Sequence, residues 1–419
     1  MNQKERNVGI ELLRIIAMFG ITVLHVLGKG GVLENLTTGN PVRYTMIWLL
    51  EILSFFGVTT YALISGFVGV DSKFRITNII YTYLRVLFFT VVLGVIGVII
   101  TPAPIDLGTI AYTFFPVSTG HYWYFSAYFL LFFVMPFINK AFEKIDVKVL
   151  RIILWVLVIA LSVHPVFFNE DPFGVNEGYS FVWLLAAYFI GAYMKKKGRL
   201  INARAYTLVI LILVSLVFTL CFKVGLDLTI GAGGDRLLAY NSPTILVISV
   251  ALVSLFARLK IEDERCAKAI RTVSRLSFGV YLFTCEIIIW EYVIDDRFKT
   301  YATYPVWKAF LCTILTSLVI FLIGIALDAI RNLIFELGNL REKLNVINDL
   351  ILKDRCPCCG QTFVDKYDIC DVCGWENDPV QSEDPTFAGG ANKESLEEYK
   401  KKFYEELKEA VESSRSANL

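Results

Sequence analysis

The first pattern in this chain that could do chemistry is a histidine and an arginine inside one apolar run. His25 lies eleven residues after Arg14. In a helix, eleven residues rise about 16.5 Å and turn to within about 20° of the starting direction, so both side chains lie on one stripe, with Glu11 close by. An imidazole suits proton transfer near neutral pH, and a guanidinium group matches phosphate oxygens. The stripe therefore predicts an anion-binding group at one end and a general base at the other.

Structural interpretations of the same residues stay open. Arg14 and Glu11 could form a plain ion pair near the lipid headgroups, or Arg14 could extend its long side chain to the interface. His25 is harder to explain in this way, because a lone imidazole at bilayer depth needs partners.

The second pattern is a set of cysteines near the C-terminus. Cys356 and Cys359 form one C-x2-C pair, and Cys370 and Cys373 form another after ten intervening residues. Two such pairs at this spacing are typical of a tetrahedral structural zinc site. Cys358 is a spare thiol that could replace a ligand or serve redox chemistry, so a disulfide or a redox switch is the alternative.

The composition indicates the class of protein. Of 419 residues, 56% are hydrophobic and only 19% are charged, and mean hydropathy is +0.58. A soluble chain has more charge and less apolar surface than this. The net charge of +1 gives no reason to expect a nucleic-acid partner. Val8–Leu27 lacks the small-residue cleavage site of a signal peptide. We therefore predict an all-α polytopic membrane protein.

A membrane-spanning helix needs about 20 mostly apolar residues. The sequence predicts about ten transmembrane helices, at roughly 8–28, 44–69, 79–101, 121–139, 150–168, 178–195, 205–224, 236–257, 274–294 and 306–330. Lys and Arg concentrate in alternate loops, which marks those loops as cytoplasmic. The basic loops include 140–148, 195–204 and 258–275, whereas 102–120 and 169–177 contain no Lys or Arg. Both termini are therefore predicted to be cytoplasmic.

This topology sorts the ionisable residues of the spans into two layers. Arg14 and Arg85 are predicted near the cytoplasmic side, and His25, Glu51 and His121 near the outer side. Charged groups at bilayer depth are functional candidates by default because they are costly to bury. The layout predicts an anionic ligand that enters from the cytoplasm and proton transfer at the outer end.

Other outer residues have structural explanations. His164 precedes Pro165 and could merely end a helix. Trp123, Tyr122 and Tyr124 could be interfacial anchors.

The chain divides into three predicted parts: a transmembrane domain at 1–330, an amphipathic linker helix at 331–354, and a small cytoplasmic, zinc-ribbon-like domain at 355–419. The linker is either a helix on the membrane surface or a short dimerising coiled coil. Its apolar seam consists of Leu333, Leu337, Leu340, Leu344, Ile347 and Ile351.

The transmembrane part resembles acyltransferase family 3, the membrane O-acyltransferases, over residues of about 7–330. An Arg, ten residues and then a His mark the first helix of that family, as in "IELLRIIAMFGITVLHV" here. Further stretches that resemble the family are "FFGVTTYALISGFVG", "FRITNIIYTYLRVL", "HYWYFSAYFLLFFVMPFI", "YFIGAYMKKK" and "SRLSFGVYLFT". Glu11 stands where the family often has Asp. Thr284 stands where it often has His, so that position cannot be an essential acid or base here.

The resemblance implies transfer of an acyl group, usually acetyl from acetyl-CoA, to a hydroxyl of an extracytoplasmic glycan or related cell-surface acceptor. Arg14 and Arg85 would bind the phosphates of the CoA donor. His25 would act as the base or carry the acyl group.

The acceptor would contact residues of the outer layer. Glu51 or His121 would orient or assist the reaction, and Trp123 with Tyr122 would stack on a sugar ring. Expected partners are the acyl-CoA donor, a hydroxylated glycan or cell-wall acceptor and the lipid bilayer, with no nucleic acid. Residues 333–419 could also mediate a homodimer or bind a cytoplasmic protein.

The tail, at about 355–405, is similar to the CPCC-type cysteine-rich domains, which implies no particular activity. It is either a docking or regulatory module or an inert appendage. Ser395 and Glu398 have the spacing of a capping box. The helix that follows would present one apolar face, formed by Leu396, Tyr399, Phe403 and Leu407.

Two other functions stay open from sequence. A transporter or flippase also has charged groups in its spans, but the chain shows no inverted repeat. A membrane-anchored sensor would use the zinc tail as its output. Four further cysteines are interpreted as ordinary small residues: Cys221, Cys266, Cys285 and Cys312.

Overall fold

The computed structural model describes residues 6–100, 107–168, 170–198 and 201–416. Some of the predicted features extend outside those ranges. They are parts of the predicted terminal domains, the end of the third predicted span at residue 101, and residues 199 and 200 of a basic loop. The α-helices are α1 (Val8–Leu27), α2 (Pro41–Ser54), α3 (Gly57–Gly69), α4 (Ile76–Ile100), α5 (Leu107–Phe114), α6 (Trp123–Lys144), α7 (Val147–Val158), α8 (His164–Phe167), α9 (Phe181–Lys197), α10 (Ala205–Thr229), α11 (Pro243–Phe256), α12 (Glu264–Thr284), α13 (Val306–Leu337), α14 (Leu340–Leu352), α15 (Pro379–Glu383) and α16 (Leu396–Ser416).

Within the described residues, seven helical stretches are long and apolar enough to cross a membrane. They are Val8–Leu27, Pro41–Gly69, Ile76–Ile100, Trp123–Lys144, Val147–Phe167, Ala205–Thr229 and Val306–Leu337. An eighth is formed if Glu264–Thr284 and Ile289–Thr303 count as one span bent by 78°. Helices α9 and α11 have only 17 and 14 residues. The chain is a multi-pass helical membrane protein, as predicted, and the predicted number of ten spans is approximate.

Local capping explains where several of these helices begin and end. The Asn7 side chain accepts a hydrogen bond from the Ile10 amide and begins α1, and Ser180 accepts one from the Trp183 amide and begins α9. Each cap satisfies an amide that has no partner inside its helix. Gly198, at φ 61°, ends α9 in the left-handed conformation that glycine adopts without a steric penalty.

The described residues form two compact units. One combines Met1–Phe74 with Thr82–Ile334, and the other combines Arg75–Tyr81 with Phe335–Leu419.

In the first unit, α3 and α9 approach closely because glycines face the contact. A methyl group added at Gly66 would overlap the carbonyl oxygen of Tyr188, and one added at Gly191 would overlap that of Leu63. Small residues allow helix backbones to approach in this way. Close packing matters in a membrane, because lipid tails are as apolar as the side chains and give no hydrophobic driving force for helix association.

A buried ion cluster joins α4 and α13. The Asp328 carboxylate, fully buried, accepts two hydrogen bonds from Arg85 at 2.9 and 2.7 Å and two from Arg331 at 2.9 and 2.8 Å. Arg85 Nη2 also donates to the carbonyl oxygens of Arg275 and Leu276 on α12. The carboxylate is thus paired with both guanidinium groups, as an apolar interior requires.

The second unit contains a short antiparallel hairpin and three helices. Strand β1 (Asp354–Arg355) pairs with β2 (Phe363–Val364). Helix α13 ends at Leu337 and α14 begins at Leu340, with Asn339 at φ 51° between them. The apolar seam predicted for one linker helix is therefore divided between two helices, because a Gly-Asn pair favours a helix end.

The predicted capping box at the start of α16 is present. Ser395 N donates to Glu398 Oε2 at 3.1 Å, and Glu398 N donates to Ser395 Oγ at 3.3 Å. Leu396 is buried, and Tyr399 and Phe403 pack against the cysteine cluster. Leu407, predicted on the same face, is exposed.

Replacing Gly66 with valine should destabilise the protein by about 3 kcal/mol, because the new side chain must force α3 away from α9. Gly225→Val is the matched control, since space around Gly225 in α10 is open. Thermal unfolding of the purified protein in detergent measures both. Equal midpoints for the two variants would show that the close α3–α9 contact contributes nothing.

Candidate functional site

A cavity of about 660 Å³ lies in the first unit, at the predicted outer end of the helices. It is lined by His25 of α1, Glu51 of α2, and His121 and Trp123 at the start of α6. These four residues come from distant parts of the chain, and all were candidates from sequence. The structure thus brings most of the predicted outer layer together around one space of ligand size.

His25 is held by the C-terminal end of α12 and the segment that follows it. Its Nδ1 lies 3.1 Å from Thr284 Oγ1, and its ring stands edge-on to Trp290 at 5.1 Å. The Thr284 hydroxyl also lies 3.0 Å from the Val280 carbonyl oxygen, and when it donates its proton there it accepts from His25 Nδ1. That pairing corresponds to the tautomer with hydrogen on Nδ1, in which the Nε2 lone pair is available.

Two further groups of the cavity have polar atoms without a hydrogen-bond partner among the described residues. Glu51 is 6% exposed, and its Oε2 has no hydrogen-bond partner among the described residues. His121 Nε2 likewise makes no hydrogen bond within the described part of the chain, and lies 3.9 Å from Glu286 Oε1. Buried polar atoms are normally satisfied, so these two are available to a ligand.

Aromatic rings form one wall of the cavity. Trp123 lies against Tyr179 at 4.8 Å and nearly parallel to Tyr240 at 6.3 Å, and all three rings line the space. Tyr122 points elsewhere. It is fully buried, stacks behind His121 at 4.3 Å and donates to the Leu282 carbonyl oxygen at 3.0 Å.

Arg14 lies below the cavity rather than in its lining. A series of polar contacts leads from the cavity to Arg14. The Tyr61 hydroxyl, in the cavity lining, lies 2.9 Å from Ser277 Oγ. One turn earlier on α12, Ser274 Oγ donates to Glu11 Oε2 at 2.5 Å. Glu11 Oε1 in turn accepts from Arg14 Nη1 at 2.8 Å. The Arg14 side chain keeps 22% of its surface exposed.

Arg85 has a different environment from Arg14. Its guanidinium group is paired with Asp328 as described above, and its side chain is 11% exposed. His164 does not line the cavity. Its ring stacks on Phe168 at 4.5 Å near the end of α8.

The cavity includes residues that the sequence did not suggest as site residues, among them Cys285, which was interpreted as an ordinary small residue. Cys285 lies with its Sγ 4.0 Å from His25 Nε2, and Lys29 and Trp290 also line the space. Tyr61 and Cys285 stood in or beside motifs already noted, "FFGVTTYALISGFVG" and "SRLSFGVYLFT". Their position in or beside those stretches was the sequence feature that could have suggested them as site residues. No spacing rule, however, indicated which residue of a stretch would face the cavity.

The second unit contains a separate site made of cysteines. The four predicted ligand sulfurs lie within 4.8 Å of one another, and all four residues are buried. The closest pairs, Cys356–Cys373 and Cys359–Cys370, are 3.6 Å apart. Tetrahedral Zn–S bonds of about 2.3 Å require sulfur separations of about 3.8 Å. These four sulfurs could therefore hold a metal ion.

The backbone around the cysteines supports that function. Gly360 and Gly374, at φ 66° and 75°, follow the two pairs, and each amide returns to the first cysteine carbonyl of its pair. Burial raises the pKa of the Cys370 thiol, but amide hydrogen bonds from Cys373 and Val372 outweigh it and lower that pKa overall. The Cys356 and Cys373 thiols shift the other way, because burial raises their pKa.

Comparison with known proteins agrees with the sequence motifs. Residues 7–325, about three quarters of the chain, match the family described as "Acyltransferase domain", and residues 354–414 match the family described as "Cysteine-rich CPCC". No curated protein and no solved structure matches the chain.

Cys370→Ser should release the metal and unfold the C-terminal part, because a domain this small has little core besides the cluster. Cys358→Ser is the matched control, since Cys358 is buried beside the cluster but outside the group of four. Elemental analysis of the purified full chain should find about one metal ion per chain in the wild type and the control, and none in Cys370→Ser. Equal metal content in both variants would contradict this ligand set.

Proposed function

The chain belongs to the acyltransferase domain family, and from that premise we propose that it transfers an acetyl group from acetyl-CoA to a hydroxyl of an extracytoplasmic glycan or related cell-surface acceptor. The observation that carries this proposal is the His25 site: an oriented imidazole whose unprotonated nitrogen is available in a ligand-sized cavity. The arrangement suits a general base.

His25 is the proposed base. Its Nε2 takes the proton of the acceptor hydroxyl while the oxygen attacks the thioester carbonyl carbon, and the imidazolium returns that proton to the departing thiolate. Thr284 contributes by holding the ring and its tautomer through Nδ1. The family position occupied by Thr284 thus has an orienting role in this chain, without acting as an acid or base.

The acceptor is proposed to bind between the aromatic wall and the unpaired polar groups. Trp123, with Tyr179 and Tyr240, offers flat surfaces for a sugar ring. Glu51 and His121 offer partners for its hydroxyl groups. Tyr122 has no proposed contact with the acceptor, and its contribution is to support the His121 ring.

The donor is proposed to bind from the cytoplasmic side, with its phosphates at Arg14. Arg14 is partly exposed and has one short contact, to Glu11, so further guanidinium N–H groups can reach phosphate oxygens. The rise of about 16.5 Å from Arg14 to His25 matches the need for a long, flexible pantetheine arm. Arg85 contributes positive charge nearby while it organises α4, α12 and α13 through Asp328.

The proposed orientation puts both termini in the cytoplasm, where the positively charged loops are expected. The metal of the cysteine cluster is proposed to be zinc, because four thiolates in tetrahedral arrangement are its characteristic ligand set. In that location the cluster stays reduced, and the C-terminal unit would serve as a docking module for a cytoplasmic protein.

His25→Ala should reduce acetyl transfer about 10²- to 10⁴-fold, the contribution of a general base. The measurement is mass spectrometry of cell-surface glycans from cells that carry the wild type, the variant or no copy of the protein. The wild type and the control variant should add the mass of an acetyl group, and cells with no copy should not. His164→Ala is the control, as His164 lies outside the cavity lining. Normal acetylation by His25→Ala would rule out its role, and unchanged glycans in the wild type would refute the proposed function.

Arg14→Ala should raise the donor KM roughly tenfold to a hundredfold, because a charge-assisted hydrogen bond contributes roughly 1.5–3 kcal/mol. Arg14→Lys keeps the charge but loses the two-pronged guanidinium group, so its donor KM should lie between those of the wild type and Arg14→Ala. Arg271→Ala is the control, since Arg271 forms an ion pair at 2.8 Å with the exposed Glu264. Steady-state kinetics with acetyl-CoA as the varied substrate measures all three. An unchanged KM in Arg14→Ala would exclude this donor site.

A further inference from the structure

The cavity contains a nucleophile that direct transfer from donor to acceptor does not use. Cys285 is the residue directly after α12, where the chain bends by 78° before the next helical segment. The bend turns its side chain toward the cavity, with Sγ 4.0 Å from His25 Nε2. Thr284, the residue before it, holds the other nitrogen of the same ring. One short segment therefore supplies both partners of the imidazole.

The tautomer of His25 makes this pair suited to chemistry. In the tautomer whose Nδ1 donates its hydrogen to Thr284, Nε2 faces Cys285 with its lone pair. A thiol beside such a nitrogen can lose its proton to it and become the stronger thiolate nucleophile. Thr284 orients the ring, His25 is the base and Cys285 is the nucleophile, and each residue contacts the next.

A second observation indicates that the cavity lined by Cys285 binds a polar ligand. Glu51 is more than nine-tenths buried in the same lining, and its Oε2 lacks a partner among the described residues. Cys312 provides a contrast. It is half-buried in α13 and is not part of the lining.

We propose that Cys285 carries the acyl group as a thioester between the CoA donor and the hydroxyl acceptor. This inference rests on the proposed function and specifies the path of the acyl group within the same cavity. It assigns His25 one role, that of the base, in two successive half-reactions.

In the first half-reaction, the Cys285 proton moves to His25 Nε2 and the sulfur attacks the carbonyl carbon of the acyl-CoA. The bond from that carbon to the CoA sulfur breaks, and the CoA thiolate takes the proton from the imidazolium. One thioester replaces another, and no oxidant or energy source is consumed.

In the second half-reaction, the acceptor hydroxyl gives its proton to His25 Nε2 and its oxygen attacks the carbonyl carbon on Cys285. The carbon–sulfur bond breaks, and the Cys285 sulfur regains a proton from the imidazolium. An ester is formed and the thiol is restored.

A covalent carrier explains how one cavity can serve substrates from two sides of a membrane. CoA can leave toward the cytoplasm before the acceptor enters from outside, so the cavity never has to hold both at once. The acyl group remains at the outer end of the stripe, about 16.5 Å from Arg14 along α1.

Isotope exchange tests the carrier without any acceptor. The purified full chain is incubated with acetyl-CoA and tritiated CoA, and label in acetyl-CoA is measured over time. Exchange requires a covalent acyl-enzyme. The wild type should exchange, Cys285→Ala should lose at least about 100-fold of that rate, and Cys312→Ala should match the wild type.

Mass spectrometry identifies the residue that carries the group. The wild type treated with acetyl-CoA alone should show one acetyl group on the peptide that contains Cys285, removable by neutral hydroxylamine. Cys285→Ser, which keeps the size of the side chain, guards against loss by misfolding and should also fail to exchange at the wild-type rate.

The outcomes separate this inference from the proposed function. Exchange that persists in Cys285→Ala, or an acetyl group on another residue, overturns the carrier. Absence of exchange in a wild type that acetylates surface glycans overturns it too, while acyl transfer stands. A wild type that neither exchanges nor changes surface glycans overturns both.

Discussion

The organising constraint of this protein is that a polar or charged group inside an apolar helical bundle must find a partner within the bundle. An unpaired group at that depth costs several kcal/mol, since neither lipid nor apolar side chains can replace water. Asp328 meets the constraint through two arginines, and Glu11 meets it through Arg14 and Ser274. These contacts tie α1, α4 and α13 to α12, and so fix the helix that ends beside His25.

The proposed functional site lies where several incompletely paired polar groups meet. Glu51 and His121 have polar atoms without a partner in the described residues, and His25 has a nitrogen that faces the Cys285 thiol instead of a strong donor. All four residues border one cavity. Other buried polar atoms of the bundle, such as Thr313 Oγ1 and Ser317 Oγ, also lack a hydrogen-bond partner among the described residues, but they do not line this cavity. The meeting of several such groups around one space is the arrangement expected of a site that binds a polar ligand and moves protons.

The C-terminal unit obeys a different constraint, because it has too few apolar residues to form a core. Cysteines occupy the position of that core, together with Val364, Trp375 and Leu396. A metal ion held by them would supply the binding energy that apolar burial supplies in larger domains. The chain thus contains a helical bundle stabilised by lipid and helix packing, and a small unit whose core is the cysteine cluster.

The sequence alone determined the class of the protein, its apolar segments, the acyltransferase resemblance, the capping box at Ser395 and the cysteine set. Each depends on composition or on spacing within about 20 residues, which a helix or a metal turn converts directly into geometry. It also indicated His25, Glu51, His121 and Trp123 as outer-layer residues. Only the tertiary structure decided that Arg85 pairs with Asp328, that Tyr122 faces away from the cavity, and that Cys285 meets His25. These contacts join residues 160 to 260 positions apart, and no local periodicity encodes which faces of distant helices will meet.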